Sequence, residues 1–198
     1  ATKAVVSNVN VKQLFLEMIP EGELPSGFRE KIARLKPASF SGLKQDLALS
    51  EAPRFKAGSQ LDGALYIEYS SDDPEEFGRA FDDYCYGIPN TKMPMMAVTT
   101  TLDPTRAPPG KHTLYLWHYE PYHLKNGGSD RWDEIKGEVA DAILETTFAH
   151  MTNMSRARVL GRWIMSPRDM PRNFPSMLEG DLGHLAHFLS QFFANRPL

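Results

Sequence analysis

The chain has 198 residues, of which 41% are hydrophobic and 24% are charged, a composition typical of a globular protein rather than of a disordered or fibrous one. Its 22 lysines and arginines against 25 aspartates and glutamates give a formal net charge of −3. A surface that follows nucleic-acid phosphates normally carries a basic excess, so we expect no nucleic-acid partner. The single cysteine, Cys85, excludes an intramolecular disulfide and favours a reducing compartment such as the cytoplasm.

The N-terminal part of the chain is predicted to form a strand followed by two helices. Residues 4–6 are typical of a buried strand, and residues 11–18 carry apolar side chains at the spacing of one helix face. A second helix is expected to start near residue 25, with Phe28 and Ile32 on its apolar side, and to stop at Pro37.

The middle of the chain shows clearer signals for both strands and helices. Residues 64–69 have the β-branched and aromatic bias of a strand. Asp73, followed by a proline and two glutamates, predicts a helix that runs to about Tyr86. Residues 95–101 and 112–118 predict an antiparallel pair of strands joined by a proline-rich turn.

The C-terminal part begins with the most strongly periodic helix, predicted over residues 130–151. Its expected apolar face consists of Trp132, Ile135, Val139, Ala142, Ile143 and Thr146. A strand over residues 158–165 and a helix start at Ser166 follow. The helices do not alternate regularly with the strands, so we expect an α+β fold in which helices pack on one face of a mixed, largely antiparallel sheet.

The sequence contains no complete catalytic or cofactor-binding motif. No glycine-rich fingerprint follows a strand, so the chain has no phosphate cradle of its own. His184 and His187 stand three residues apart, but without further ligand motifs we expect no metal site. The favoured interpretation is that one of them packs or caps while the other faces a ligand. Cys85 lies between two tyrosines with no charged activator nearby in sequence, which favours an inert buried thiol.

Aromatic and methionine side chains mark a second candidate region, on the predicted strand pair. Tyr115, Trp117 and Tyr119 alternate with leucines along one strand, which predicts either a packed core strand or one wall of a ligand site. Met95 belongs to a group of methionines that suits an adaptable apolar pocket and equally suits an ordinary core. Asn8 follows the first strand, where its side chain would either face a cleft or cap a helix.

The C-terminal segment carries a family resemblance. Ser166-Pro-Arg-Asp169 is followed by Gly180-Asp-Leu-Gly-His184, then by Leu189-Ser-Gln191, and finally by Arg196-Pro197. This order resembles the late segment of the phytoene desaturase-like FAD-dependent oxidoreductases. The opening Ala4-Val-Val-Ser-Asn8 is similar to the entry strand of their substrate-binding half.

The resemblance implies that this chain binds the substrate and that other parts of such an enzyme bind the flavin. It implies that residues 1–198 form a single substrate-binding domain, a fragment without the N-terminal and C-terminal flavin-binding segments. His184 and Asp181 would then orient the substrate or exchange a proton with it, unless they only satisfy backbone groups of their loop. Asn8, Gly180, Met95, Trp117 and Tyr119 are the expected substrate-binding residues.

Two functions from different classes follow. The first is the substrate-binding part of an FAD-dependent dehydrogenase, desaturase or isomerase that acts on a mainly apolar, isoprenoid or lipid-like molecule, with FAD supplying the redox chemistry. Its partners would be that small molecule and the flavin-binding remainder of the protein, and the chain alone would be inactive. The second is a stand-alone ligand-binding or protein-interaction domain without catalysis. Peripheral membrane contact and a homo-oligomer are left open by the resemblance.

Overall fold

The computed structural model describes residues 3–37, 40–93, 95–192 and 195. The chain divides into two compact units. The terminal unit is drawn from Ala1–Ser41 and Asp169–Leu198, and the sheet unit is Gly42–Arg168. The Arg196-Pro197 pair of the family resemblance lies outside the described residues.

The sheet unit is built on five strands, whose bounds are β1 Gly42–Leu49, β2 Tyr66–Tyr69, β3 Met95–Thr99, β4 His112–Tyr119 and β5 Val159–Met165. Their order across the sheet is β2-β3-β4-β1-β5, and every neighbouring pair is antiparallel. The predicted pairing of β3 with β4 is confirmed, with Met95 opposite His118. The α+β class and the antiparallel sheet are also confirmed.

Two long helices belong to the sheet unit, α3 Pro74–Cys85 and α4 Trp132–Ala149. The predicted start of α3 is confirmed, because the Asp73 carboxylate accepts a hydrogen bond from the Glu75 backbone N–H at 2.9 Å. Ala80 is the buried residue of α3, and the last residue of the helix, Cys85, is exposed. The prediction of a buried thiol is therefore wrong, because this helix buries little of its surface.

The helix α4 packs on one face of the sheet, as expected, and its buried side matches the predicted one at Trp132 and Ile143 but not at Ala142. Its buried residues are Trp132, Ala140, Ile143, Leu144, Thr147 and Phe148. Leu144 and Phe148 join a core cluster with Leu47 and Leu116, whereas Ala142 is exposed. The helix carries apolar residues on more than one side, so the spacing of apolar residues alone does not predict which side is buried in its second half.

The two faces of the sheet differ in character. Leu43, Leu47, Leu114 and Leu116 lie on the face that α4 covers, together with Met95. Because side chains alternate along a strand, the intervening positions of β1, β4 and β5 lie on the opposite face. We call that opposite face the aromatic face; its described members include Tyr66, Tyr115, Trp117, Tyr119 and Trp163.

The terminal unit consists of short helices and irregular segments. Its helices are α1 Val11–Gln13, which continues into a π-helical turn over Leu14–Met18, α2 Phe28–Arg34 and α5 Asp169–Asn173. The predicted strand at residues 4–6 is wrong, because Val5 and Val6 are 78% and 98% exposed and the described residues of this unit contain no strand that could pair with them. Apolar residues without a partnering edge do not form a strand.

Side chains of two basic residues hold α1 and α2 together. Arg29 donates to the backbone carbonyls of Phe15 and Leu16 at 2.9 and 2.8 Å. Lys12 donates to the carbonyls of Ala33 and Leu35 at 2.7 and 2.8 Å. These donors satisfy carbonyls that the ends of short helices leave without an intrahelical partner. In the described part of the chain, no helix has the length and apolarity needed to cross a bilayer.

Candidate functional site

A pocket of about 260 Å³ in the terminal unit brings the two ends of the sequence together. We call it the terminal pocket; its lining residues are Asn8, Val9, Val11, Gly183, His184, Leu185, Ala186, His187, Gln191 and Phe192. Asn8 and His184, both predicted site residues, therefore line the same pocket. Asn8 is exposed, whereas His184 is half-buried.

Asn10, a residue that the sequence analysis missed, joins the two walls of this pocket. Its side chain is fully buried, and its amide nitrogen donates to the backbone carbonyl of His184 at 2.9 Å. Its amide oxygen accepts from the Lys12 N–H at 2.9 Å and so caps α1. A capping signal was present in the sequence, because Asn10 precedes Gln13 by three residues, but capping was considered only for Asn8, as one of two alternatives.

The loop that carries His184 has an unusual backbone. Glu179, Gly180 and His184 have φ angles of +52°, +70° and +66°. Positive φ is routine for Gly180, but for a histidine the left-handed region costs about 1–2 kcal/mol. A non-glycine residue in this conformation persists only where its surroundings fix it. The backbone at His184 is thus determined by its contacts.

The buried carboxylate of Asp181 serves this loop. Its Oδ1 accepts a hydrogen bond from the Gly183 N–H at 2.8 Å, and the whole residue is inaccessible to solvent. This is the loop-satisfying role that the sequence analysis set beside proton exchange. Gly180, immediately before it, is also buried. Neither residue lines the terminal pocket.

Gln191 holds the other end of the pocket-lining loop. Its Nε2 donates to the carbonyls of Lys36 and Ala186 at 3.1 and 2.9 Å, and its Oε1 accepts from the Lys36 N–H at 2.6 Å. The Ala186 N–H donates to the Lys36 carbonyl at 2.8 Å. The segment between His184 and Ala186 is therefore attached on one side to Asn10 and on the other to Lys36.

His187, the second histidine of the loop, packs against aromatic rings. Its ring centroid lies 5.4 Å from that of Phe40 and 5.3 Å from that of Phe192. This is the packing role expected of one histidine of the pair, but both His184 and His187 line the terminal pocket. Among the described residues, no group of three or more metal-ligating side chains is placed to hold a metal ion.

Met95, a third predicted site residue, lies in the sheet unit between the sheet and α4. Only 2% of it is exposed, and the Thr147 hydroxyl approaches its sulfur at 3.7 Å. It contributes to the floor of a cavity of about 290 Å³, which Tyr69, Lys92 and His150 also line. The rings of Tyr69 and His150 are tilted by 40° with their centroids 4.6 Å apart, and burial raises the pKa of the Tyr69 hydroxyl.

Trp117 and Tyr119, the remaining predicted site residues, lie on the aromatic face. Trp117 is 2% exposed, and its ring packs over Gly42, where an added Cβ would stand 2.6 Å from the ring carbons. Within the described residues, its indole N–H has no hydrogen-bond partner. An indole donor without a partner is unusual in a buried position.

The side chain of Lys44 lies between two aromatic rings of the aromatic face. The Lys44 ammonium lies 5.0 Å from the ring centroids of both Tyr115 and Trp163, within the range of a cation–π contact, and it also pairs with Asp46. Burial, with Asp46 adding to the effect, raises the pKa of Tyr115 to about 12. At neutral pH the Tyr115 phenol is therefore protonated.

A buried polar pair under α4 was also missed by the sequence analysis. His118 Nδ1 and Glu120 Oε1 are 3.0 Å apart, and both side chains are inaccessible to solvent. Burial raises the pKa of Glu120, although His118 and the backbone N–H of Asn90 oppose the shift. In the sequence, only one signal marks this pair: a histidine and a glutamate two positions apart, which fall on the same side of an extended segment.

Comparisons with known proteins relate the chain to oxidoreductases. No protein-family model matches it. It is 31% identical to the pyridine nucleotide-disulfide oxidoreductase domain-containing protein 2 of Rattus norvegicus and 32% identical to that of Mus musculus; each match covers 100% of the chain and 35% of the relative. It is also 25% identical to a limonene dehydrogenase subunit of Castellaniella defragrans, over 76% of the chain and 28% of that protein.

The chain thus spans about a third of the length of these curated relatives. The matches support the broader form of the resemblance, an oxidoreductase family of the FAD type. They do not single out the phytoene desaturase-like class within it.

Proposed function

We propose that this chain is the substrate-binding part of an FAD-dependent oxidoreductase of the phytoene desaturase-like class, acting on a mainly apolar, isoprenoid or lipid-like molecule. One observation carries the proposal. The two segments on which the resemblance rests, the opening around Asn8 and the loop around His184, line one pocket in the terminal unit. Asn10 and His184 are 174 positions apart in sequence and are hydrogen-bonded to each other.

FAD itself would be bound by other parts of the parent protein. The sheet is antiparallel throughout its described strands, and no glycine-rich turn follows a strand in the sequence, so the usual dinucleotide cradle is not formed here. The terminal pocket, at about 260 Å³, is smaller than the roughly 300–1,000 Å³ of pockets that enclose drug-sized ligands. We therefore assign no residue of this chain to the cofactor's phosphates.

Within the terminal pocket, His184 is the residue proposed to meet the substrate. Its half-buried position and its place in the pocket lining suit a group that orients a ligand or exchanges a proton with it. Asp181 would act indirectly, because its buried carboxylate accepts a hydrogen bond from the Gly183 N–H and so stabilises the loop that carries His184. Gly180 supplies the positive φ that the turn before the pocket requires. Asn8 contributes a polar group to the opposite wall.

The sheet unit carries apolar surfaces of its own, on both faces of the sheet. Tyr119 lies on the aromatic face, where Trp117 is only 2% exposed, and Met95 lines the cavity beside Tyr69 on the opposite face. Aromatic rings and methionine bind flat or flexible hydrocarbons through contact area rather than through hydrogen bonds. That chemistry favours an apolar substrate. The name of one relative, a limonene dehydrogenase subunit, points in the same direction for that relative.

A stand-alone binding domain is the second candidate. The observation in its favour is the missing glycine-rich fingerprint, since a chain without a flavin cradle has no redox chemistry of its own. In that case the terminal pocket and the aromatic face would still bind an apolar ligand, and His184 would have no catalytic role.

The substrate class is tested by anaerobic reduction of the natural, full-length protein. Isoprenoid hydrocarbons and their hydroxylated or carboxylated counterparts would be added in turn, and loss of the oxidised-flavin absorbance would be followed. We expect bleaching with the hydrocarbons and slower or no bleaching with the charged analogues. Reduction by small polar substrates alone would contradict the apolar assignment.

A further inference from the structure

We propose that Asn10 is the positioning residue of the His184 loop, holding the His184 backbone in the conformation in which its ring lines the terminal pocket. This inference rests on the proposed function only in taking His184 as the residue that meets the ligand. It adds a residue to which neither the resemblance nor the relatives assign a role.

Both polar atoms of the Asn10 side chain are used. The oxygen accepts from the Lys12 N–H and the nitrogen donates to the His184 carbonyl, each at 2.9 Å, in a residue that is fully buried. A helix cap requires only the oxygen. Serine, threonine and aspartate cap as well as asparagine does, yet none of them combines that acceptor with an amide donor on the same side chain.

The residue that accepts this hydrogen bond is strained. His184 has φ = +66°, a conformation that histidine adopts only where its surroundings compensate. The hydrogen bond from Asn10 fixes the His184 carbonyl, and two residues later the Ala186 N–H is bound by the Lys36 carbonyl. The strained residue thus lies next to an anchor on each side. Loss of the Asn10 anchor would free the peptide plane that sets the direction of the His184 ring.

The Asn10 anchor also lies at the pocket itself. Val9 and Val11, on either side of Asn10, both line the terminal pocket, and so does His184. The Asn10 side chain therefore hydrogen-bonds both to the start of α1 and to the His184 loop on the other side of the pocket. Capping α1 does not require the second hydrogen bond, which joins Asn10 to a loop 174 positions away.

Asn10→Asp separates the two functions of the side chain. A carboxylate keeps the acceptor for the Lys12 N–H but cannot donate to the His184 carbonyl. Asn10→Ser likewise keeps a capping oxygen and has no amide, and it adds no charge beside the histidine. Asn10→Ala removes both contacts. His184→Gln, which lacks the imidazole, identifies the His184 signal among those of the other histidines.

The measurement is the NMR spectrum of the histidine ring protons in the full-length protein, followed by steady-state kinetics. We expect the chemical shift of the His184 signal to change in both the Asp and the Ser variants, while the other histidine signals stay in place. We also expect kcat to fall at least tenfold, with KM changing less than threefold.

An unchanged His184 signal in Asn10→Asp and Asn10→Ser would overturn the proposal and leave Asn10 as a cap alone. If the aspartate variant does not fold, the uncharged serine variant decides the question. The NMR result does not depend on turnover. Displacement of the His184 signal in a protein that has no flavin and no activity would therefore sustain the positioning role and remove the proposed oxidoreductase.

Discussion

The side chain of Asn10 donates a 2.9 Å hydrogen bond to the backbone carbonyl of His184, across 174 positions of sequence. Through this contact, the first helix of the terminal unit and a strained loop near its C-terminal end form one pocket. The shape of the pocket therefore depends on a few buried polar contacts rather than on a large apolar core.

His184→Gly separates stability from function in this loop. Glycine removes the left-handed penalty of about 1–2 kcal/mol but adds about 0.5–1 kcal/mol of chain entropy to the unfolded state. We expect the unfolding free energy, measured by urea titration, to stay within about 1 kcal/mol of the parent, while turnover is lost. A glycine variant with parental turnover would exclude His184 from the chemistry.

Gln191→Glu is expected to loosen the other anchor of the loop. The carboxylate can still accept from the Lys36 N–H, but it cannot donate to the carbonyls of Lys36 and Ala186. The Lys36 carbonyl still accepts from the Ala186 N–H, but the buried Ala186 carbonyl loses this donor and faces a buried carboxylate instead, which costs about 1–3 kcal/mol. Urea unfolding measures the loss. The matched control is Gln191→Met, which removes all of these hydrogen bonds without introducing a charge and should cost less than the glutamate.

Gly42→Ala tests the packing of Trp117 on the aromatic face. The added Cβ would lie 2.6 Å from the indole ring and from the backbone carbonyl of His118, so the strand or the ring must move. Overpacking of this kind costs about 1–3 kcal/mol. The control is Gly161→Ala on β5, where the Cβ meets only the Ala48 Cβ at 3.9 Å. Equal melting temperatures of the two variants would contradict this packing.

Glu120→Gln is expected to change how stability depends on pH. Burial raises the pKa of Glu120 above its ordinary value of 4.5, so the folded chain keeps this proton at pH values where the unfolded chain has lost it. The resulting stabilisation is fully present below the unfolded pKa and is lost as the pH rises through the folded pKa.

The unfolding free energy of the parent relative to Glu120→Gln should therefore fall as the pH is raised from 4 towards the folded pKa. Urea titrations of both proteins at matched pH values measure this difference. A difference that grows with pH would mean that the ionised carboxylate is the stabilised form, and the direction of the shift would then be wrong.

Most elements of the sheet unit were predictable because they follow local chemistry, but β1, whose apolar residues alternate only in part, was not predicted. The cap at Asp73 determines the start of α3, and the aromatic alternation of β4 places Trp117 and Tyr119 on one face. The failures were non-local. The strand predicted at residues 4–6 has no partner edge among the described residues. The side of α4 that is buried is determined by its contacts with leucines of the sheet, which the helix sequence does not show.

The terminal pocket was predictable only in part. The sequence pointed to Asn8 and His184 through the family resemblance, and both line the pocket. It did not point to Asn10, Lys36 or Gln191 as structural anchors, because their hydrogen bonds join segments that are far apart in sequence. Periodicity and capping signals describe neighbours along the chain, whereas these contacts depend on the folded tertiary structure.

The most direct test of the proposed function is native mass spectrometry of the protein from its natural source, which reports polypeptide length and bound small molecules together. We predict a chain longer than 198 residues that carries one non-covalent FAD. A chain of 198 residues without flavin would contradict the oxidoreductase assignment, and the terminal pocket would then belong to a binding domain.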